Sequence, residues 1–174
     1  MQFFAIVLVS VAAASVYGVI HDQFTIRVCL EYFTVGHPPI FSTSSPTLLA
    51  LGWGIIATWW VGLLLGIPLA AVARLGRAHP PISVRELVPA IGLLLVVMSC
   101  CALVAGFLGY SAGQRGDVSP PPWLGAHLPL EFRARFVATS WAHLASYMSG
   151  IVGGVILIAV TRIRRARSRW PATA

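Results

Sequence analysis

Residues 48–73 read LLALGWGIIATWWVGLLLGIPLAAVA and run directly into Arg74. No Asp, Glu, Lys or Arg interrupts the stretch, and a helix that crosses a bilayer needs about 20 mainly apolar residues. Three more segments have the same character: Phe3–Ile20, Leu87–Tyr110 and Thr139–Thr161, of which only the last holds a histidine. Leu, Ile, Phe and Val each favour insertion by roughly 0.3–0.6 kcal/mol at mid-bilayer, whereas one Arg costs roughly 2.5–3.5. The first charge beyond a block therefore marks its end, as Asp22, Arg74 and Arg162 do here. The whole composition agrees. Of 174 residues, 57% are hydrophobic and 10% charged, and mean hydropathy is +0.83. Soluble domains carry about 25% charged residues, so the composition argues against a soluble enzyme, a disordered chain and a secreted disulfide scaffold. The expected fold is an all-α membrane protein: a single domain over 1–174, a four-transmembrane-helix bundle with a small extracytoplasmic cap.

The charges set a direction for that bundle. The chain has 12 arginines, no lysine, and a net charge of +7. The 74–86 connection and the 162–174 tail hold Arg74, Arg77, Arg85, Arg162, Arg164, Arg165, Arg167 and Arg169 against Glu86 alone. The 21–47 and 111–138 connections balance Arg27, Arg115, Arg133 and Arg135 against Asp22, Glu31, Asp117 and Glu131. The positive-inside rule then puts both termini and 74–86 in the cytoplasm, and 21–47 and 111–138 outside. Basic residues that flank apolar blocks serve orientation, and no nucleic-acid partner is expected. Ala12–Ala14 resembles a signal-peptidase site, yet Met1-Gln2 offers no positive n-region, so the first block reads as a retained span.

Small residues at every fourth position let helix backbones approach closely in lipid. Span two carries such a row in Gly54, Thr58, Gly62 and Gly66; shorter rows are Ser10, Ala14, Gly18 in span one, Cys101, Ala105, Gly109 in span three, and Ser146, Gly150, Gly154 in span four. Pro68 predicts a kink in span two. Trp53 suits the interface belt, and Trp59 and Trp60 are expected to bury their N–H groups among neighbours.

The densest run of functional groups follows span one. From Phe24 to Tyr32 apolar and polar residues alternate, which predicts a short half-buried strand in the cap. A helix is the competing expectation, since Arg27 and Glu31 stand at i,i+4 and form a candidate structural ion pair. Leu130–Ala138 is expected to prolong span four outward as a helix. His21, Asp22, Cys29, Glu31 and His37 are candidate metal ligands, though no spacing matches a zinc signature. His143 is an ionisable group inside a span, a costly placement that points to the bundle interior. Ser140, His143, Tyr147, Gly150 and Gly154 share a helix face, so His21, His143 and Tyr147 are candidates for a cofactor.

The segments Tyr17-Gly18, His21-Asp22-Gln23-x-Thr25 and Glu31-Tyr32-Phe33-Thr34 resemble an uncharacterised family of small bacterial inner-membrane proteins. The likeness extends to Trp59-Trp60 and to the 141–147 stretch, about half of the chain. It implies a multi-pass protein of the bacterial inner membrane and brings no activity, substrate or cofactor.

No Walker A loop, GxSxG elbow or catalytic triad pattern is present, and the three cysteines give no disulfide framework. No catalytic residue is assigned. The first expectation for function is a non-enzymatic binding or assembly component acting through its cap, with a homo-oligomer or another membrane protein as partner. The alternatives are a haem- or metal-binding redox protein using His21 and His143, and an oligomeric channel or carrier.

Overall fold

In the computed structural model, which describes residues 1–168, 79% of the chain is helix and no described residue lies in a strand. The elements in order are α1 (Gln2–Val28), α2 (Leu30–Thr34), α3 (Pro46–Ile56), α4 (Trp59–Arg74), α5 (Val84–Arg115), α6 (Pro122–Gly125) and α7 (Leu130–Arg167). Helix α1, the α3–α4 pair, α5 and α7 are each long and apolar enough to cross a membrane. Helix α5 starts at a Ser83/Glu86 capping box and stops at Gly116, whose φ of +77° suits glycine. Helix α7 begins at Leu130, so the outward extension of span four is helical as expected.

The predicted strand is a helix. Asp22, Thr25, Ile26, Cys29 and Phe33 are buried, whereas Phe24 and Val28 are exposed. Burial at steps of three and four is helical periodicity, and it outweighs the alternation that predicted a strand. Helix α1 therefore runs on through His21 and Asp22 instead of ending there, and breaks only at Cys29, where φ is −150°. A helix also satisfies its own backbone, which an isolated strand cannot do next to lipid.

Span two is interrupted at a place the sequence did not mark. Helix α4 continues through Pro68, and the interruption falls at Ala57-Thr58, between α3 and α4. Thr58 Oγ1 donates to the Gly54 carbonyl at 2.5 Å, and the Val61 and Gly62 N–H groups both turn to the Thr58 carbonyl. A threonine that competes with the backbone ladder in this way bends a helix.

The glycine row of span two does hold the bundle together. A Cβ on Gly54 would lie 2.5 Å from the backbone of Val19, and one on Gly62 2.7 Å from Val11 Cα. Helix α1 thus packs backbone to backbone on α3 and α4. Because glycine occupies the inner face, the indoles of Trp59 and Trp60 point outward, each 46% exposed, contrary to the expectation of burial. Trp53 is also reversed: it is buried with Ile26, Phe33, Leu49 and Ala50 rather than sitting in a surface belt. Helix α5 packs mainly on α7, with Gly109 against Trp141 and Gly113 against Ala134.

One end of the bundle gathers the N-terminus, the 74–83 connection and the last turn of α7. There Gln2 accepts from the Val84 N–H, and Ile6 is fully buried with Leu69, Ala70, Ala73, Ile82, Leu87 and Ile91. Arg165 is buried too. Its guanidinium donates to the carbonyls of Val72, Leu75, Gly76, His79 and Pro80. Arg164 pairs with Glu86 at 3.2 Å. Arg169 lies outside the described residues. The opposite end is closed by α2, α6 and the 35–45 loop, where Cys29, Leu124, Leu128 and Phe136 form a small apolar cluster.

Candidate metal centre

Between these two apolar ends lies a polar layer. Helix α1 contributes Tyr17, His21 and Asp22 to it, and α7 contributes His143, Ser146 and Tyr147. Spacing of four along α1 and of three and four along α7 brings each set to the inner face of its helix. They line a cavity of about 90 Å³, shared with Tyr32, His37, Trp53 and Thr58. That volume holds several water molecules.

Asp22 is 5% exposed, an unusual depth for a carboxylate. Its Oδ1 lies 3.1 Å from His143 Nε2. The other nitrogen of that ring, Nδ1, lies 2.8 Å from the Thr139 carbonyl. A carbonyl can only accept, so Nδ1 carries the hydrogen and donates it. In the neutral ring Nε2 then presents a lone pair to a carboxylate oxygen, and a positive charge between the two relieves that opposition.

His21 completes the group. Its ring stands edge-on to His143 with centroids 4.6 Å apart, and stacks on Tyr17. Nδ1 lies 3.5 Å from Ser146 Oγ, which in turn is 2.8 Å from Tyr17 Oη. Nε2 is buried and has no hydrogen-bond partner. One ring nitrogen of each histidine and one oxygen of Asp22 lie within 4.8 Å of one another. Ligands about 2.1 Å from a common ion sit roughly 3.0–3.4 Å apart, so small side-chain rotations would gather all three. Metal-bound histidines usually donate their second N–H to a carbonyl or carboxylate. His143 already does so.

Surrounding groups fix the rings. Tyr32 lies 4.5 Å from His143 by ring centroids and Phe33 lies 5.7 Å away. Burial, with smaller contributions from Tyr147 and Asp22, holds the Tyr32 phenol above its ordinary range, so it remains protonated. Tyr147 donates to the Ala57 carbonyl at 3.1 Å. That carbonyl is the one released by the break between α3 and α4, so the bend and the site are built together.

The remaining candidates separate from this group. His37 lines the cavity, but its Nδ1 is held 2.8 Å from the Tyr32 carbonyl. Cys29 points into the apolar cluster with Leu124 and Phe136, and its Sγ lies 3.5 Å from Glu31 Oε2. Burial, and after it the neighbouring Glu31, raises the Cys29 thiol to about 12, which disfavours the thiolate a metal requires. The Arg27–Glu31 pair does not form. The turn at Cys29 breaks the i,i+4 relation, and Arg27 donates instead to Gln23 and to Thr47 Oγ1. Tyr17 and Tyr32 were not singled out from sequence. The i,i+4 step from Tyr17 to His21 was the available signal for the first; nothing local marks the second.

No protein-family model matches the chain, and no curated protein or solved structure is similar to it. These comparisons add no family and no activity.

Proposed function

We propose that this chain is a multi-pass protein of the bacterial inner membrane that binds one divalent transition-metal ion through His21, Asp22 and His143. The observation that carries the reading is the convergence of three potential ligands on one buried point, with His143 oriented by a carbonyl and His21 Nε2 left unpartnered. Two imidazoles and one carboxylate suit zinc or ferrous iron. Three protein ligands leave positions open for an exchangeable one, and the adjoining cavity gives it room.

The location is consistent with such a role. His143 stands 19 residues before Arg162 on α7, about 28 Å along the helix axis, close to the ~30 Å hydrocarbon thickness. With the arginine-rich end in the cytoplasm, as its charge excess favours, the centre lies near the extracytoplasmic interface. We prefer this reading to assembly through the cap, because Cys29 and Phe33 are buried and His37 faces the cavity. The closed packing around Ile6 disfavours a pathway through the single bundle.

Titration of metal-stripped protein with Co²⁺ tests the proposal. The expected result is visible ligand-field absorption that saturates at about one equivalent and is absent from Asp22→Asn and His143→Ala. A featureless titration of correctly folded protein would reject it.

A further inference from the structure

A second cavity, of about 780 Å³, opens on the side of the bundle between α1 and α5, with α7 as its back wall. Its floor consists of Ala102, Gly106, Ala138 and Ala142, and its rim of exposed residues such as Phe24 and Phe107. Small side chains below and large ones above make a groove whose length follows the helices. The groove is lined almost throughout by apolar side chains, and it lies within the segments apolar enough to cross a membrane. Polar groups interrupt it: Thr25 and Ser99 donate to carbonyls of their own helices and Tyr110 accepts from Gln114, which leaves Tyr17, His21 and Thr139. Tyr17 and His21 form part of its wall and also line the polar cavity, so the two spaces adjoin through these side chains. Thr139 also lies on the wall, 1% exposed, and its Oγ1 has no hydrogen-bond partner.

We infer that this groove receives the hydrocarbon chain of a membrane lipid whose polar end lies against Tyr17, His21 and Thr139. An amphiphile is the occupant that fits both parts. Its chain matches the apolar trough, since lateral access in a bilayer is access from lipid tails. Its polar end supplies a partner for the Thr139 hydroxyl, a group that costs free energy when buried alone. A helix of a second copy would fill the trough as well but brings no lipid head group, so a head-group probe distinguishes the two. This inference rests on the metal centre only for what the polar end approaches; the groove and its occupant are tested separately.

The experiment uses the full-length protein in nanodiscs that contain trace amounts of two photoreactive phospholipids, one with a diazirine on the acyl chain and one with it on the head group. The chain probe is expected to label peptides covering residues 99–107 and 138–142, and the head probe peptides covering 17–25 and 139–143. Both signals should fall when unlabelled lipid of the same type is added. Gly106→Leu, which places a side chain on the floor of the trough against Ala138 and Ala142 of α7, should reduce chain labelling at least about fivefold, the effect of about 1 kcal/mol. A Cβ at Gly106 meets its nearest neighbour at an ordinary 3.5 Å. Ala102→Leu serves as the independent blocking variant, and monodispersity with an unchanged thermal unfolding midpoint in both confirms that the fold persists. Labelling spread evenly over every lipid-facing helix, unchanged by either variant, would overturn the groove and leave the metal centre standing. Localised labelling on a protein that holds no metal would overturn the centre and leave the groove.

Discussion

Cys29 and Tyr147 show how single side chains are fixed by what surrounds them. Cys29 is 1% exposed, and its thiol is raised to about 12 by burial. Between its ordinary value of 9.0 and about 12, the unfolded chain loses that proton while the folded chain retains it. The folded state then binds more protons, so stability falls as pH rises through that window. Native protein is predicted to resist maleimide at Cys29 and to react after denaturation, and Cys29→Ala should flatten the alkaline decline in thermal stability. Rapid labelling of native Cys29 would contradict its burial. Tyr147→Phe removes the donor to the Ala57 carbonyl, so we predict a loss of about 1 kcal/mol, read as a drop of roughly 2–4 °C in Tm. An unchanged Tm would show that the carbonyl finds another partner. Sequence made His143 conspicuous because a titratable group inside an apolar span is costly. It concealed the partnership with Asp22, 121 positions away, since no local rule links the two.

Elements are positioned by where small residues allow backbones to meet. The row from Gly54 to Gly66 was legible because lipid offers no hydrophobic force between helices, which leaves close packing as the available contact. The row in α5 was placed less well: Cys101 and Ala105 are half-exposed, and Gly106, Gly109 and Gly113 face α7. Composition could not distinguish two neighbouring faces that both bear small residues. The mistaken strand has a similar cause. Residues 24–32 alternate in polarity, and burial at 22, 25–26, 29 and 33 became visible only once neighbours were in place. Gly54→Ala is predicted to destabilise the protein by about 1–3 kcal/mol, because the new methyl group meets the backbone of Val19. Gly92→Ala faces open space within a helix and should be neutral or stabilising by up to about 1 kcal/mol. Thermal unfolding in detergent compares the pair, and equal effects would contradict the packing of α1 on α3.

At the scale of the whole molecule, two apolar ends enclose a polar layer, and one arginine ties the connection at residues 72–80 to α7. Charge counting read Arg165 as one of several orienting residues, yet it is 7% exposed and donates to five carbonyls. Its role was illegible because the acceptors belong to the end of α4 and the loop after it, about 90 positions away. Hydrogen bonds from a charged donor are worth about 1.5–3 kcal/mol each. Arg165→Ala is therefore predicted to lower stability by at least about 3 kcal/mol, with Arg165→Lys intermediate because it lacks the planar fork. Equal stability of all three proteins would remove Arg165 from the account. The most direct measurement is elemental analysis of the full chain, extracted from membranes in mild detergent without chelator, beside Asp22→Asn and His143→Ala. The account predicts about one transition-metal ion per chain in the unaltered protein and less than about a tenth in either variant. Metal-free protein that is folded and monodisperse, or a metal content untouched by both substitutions, would contradict it.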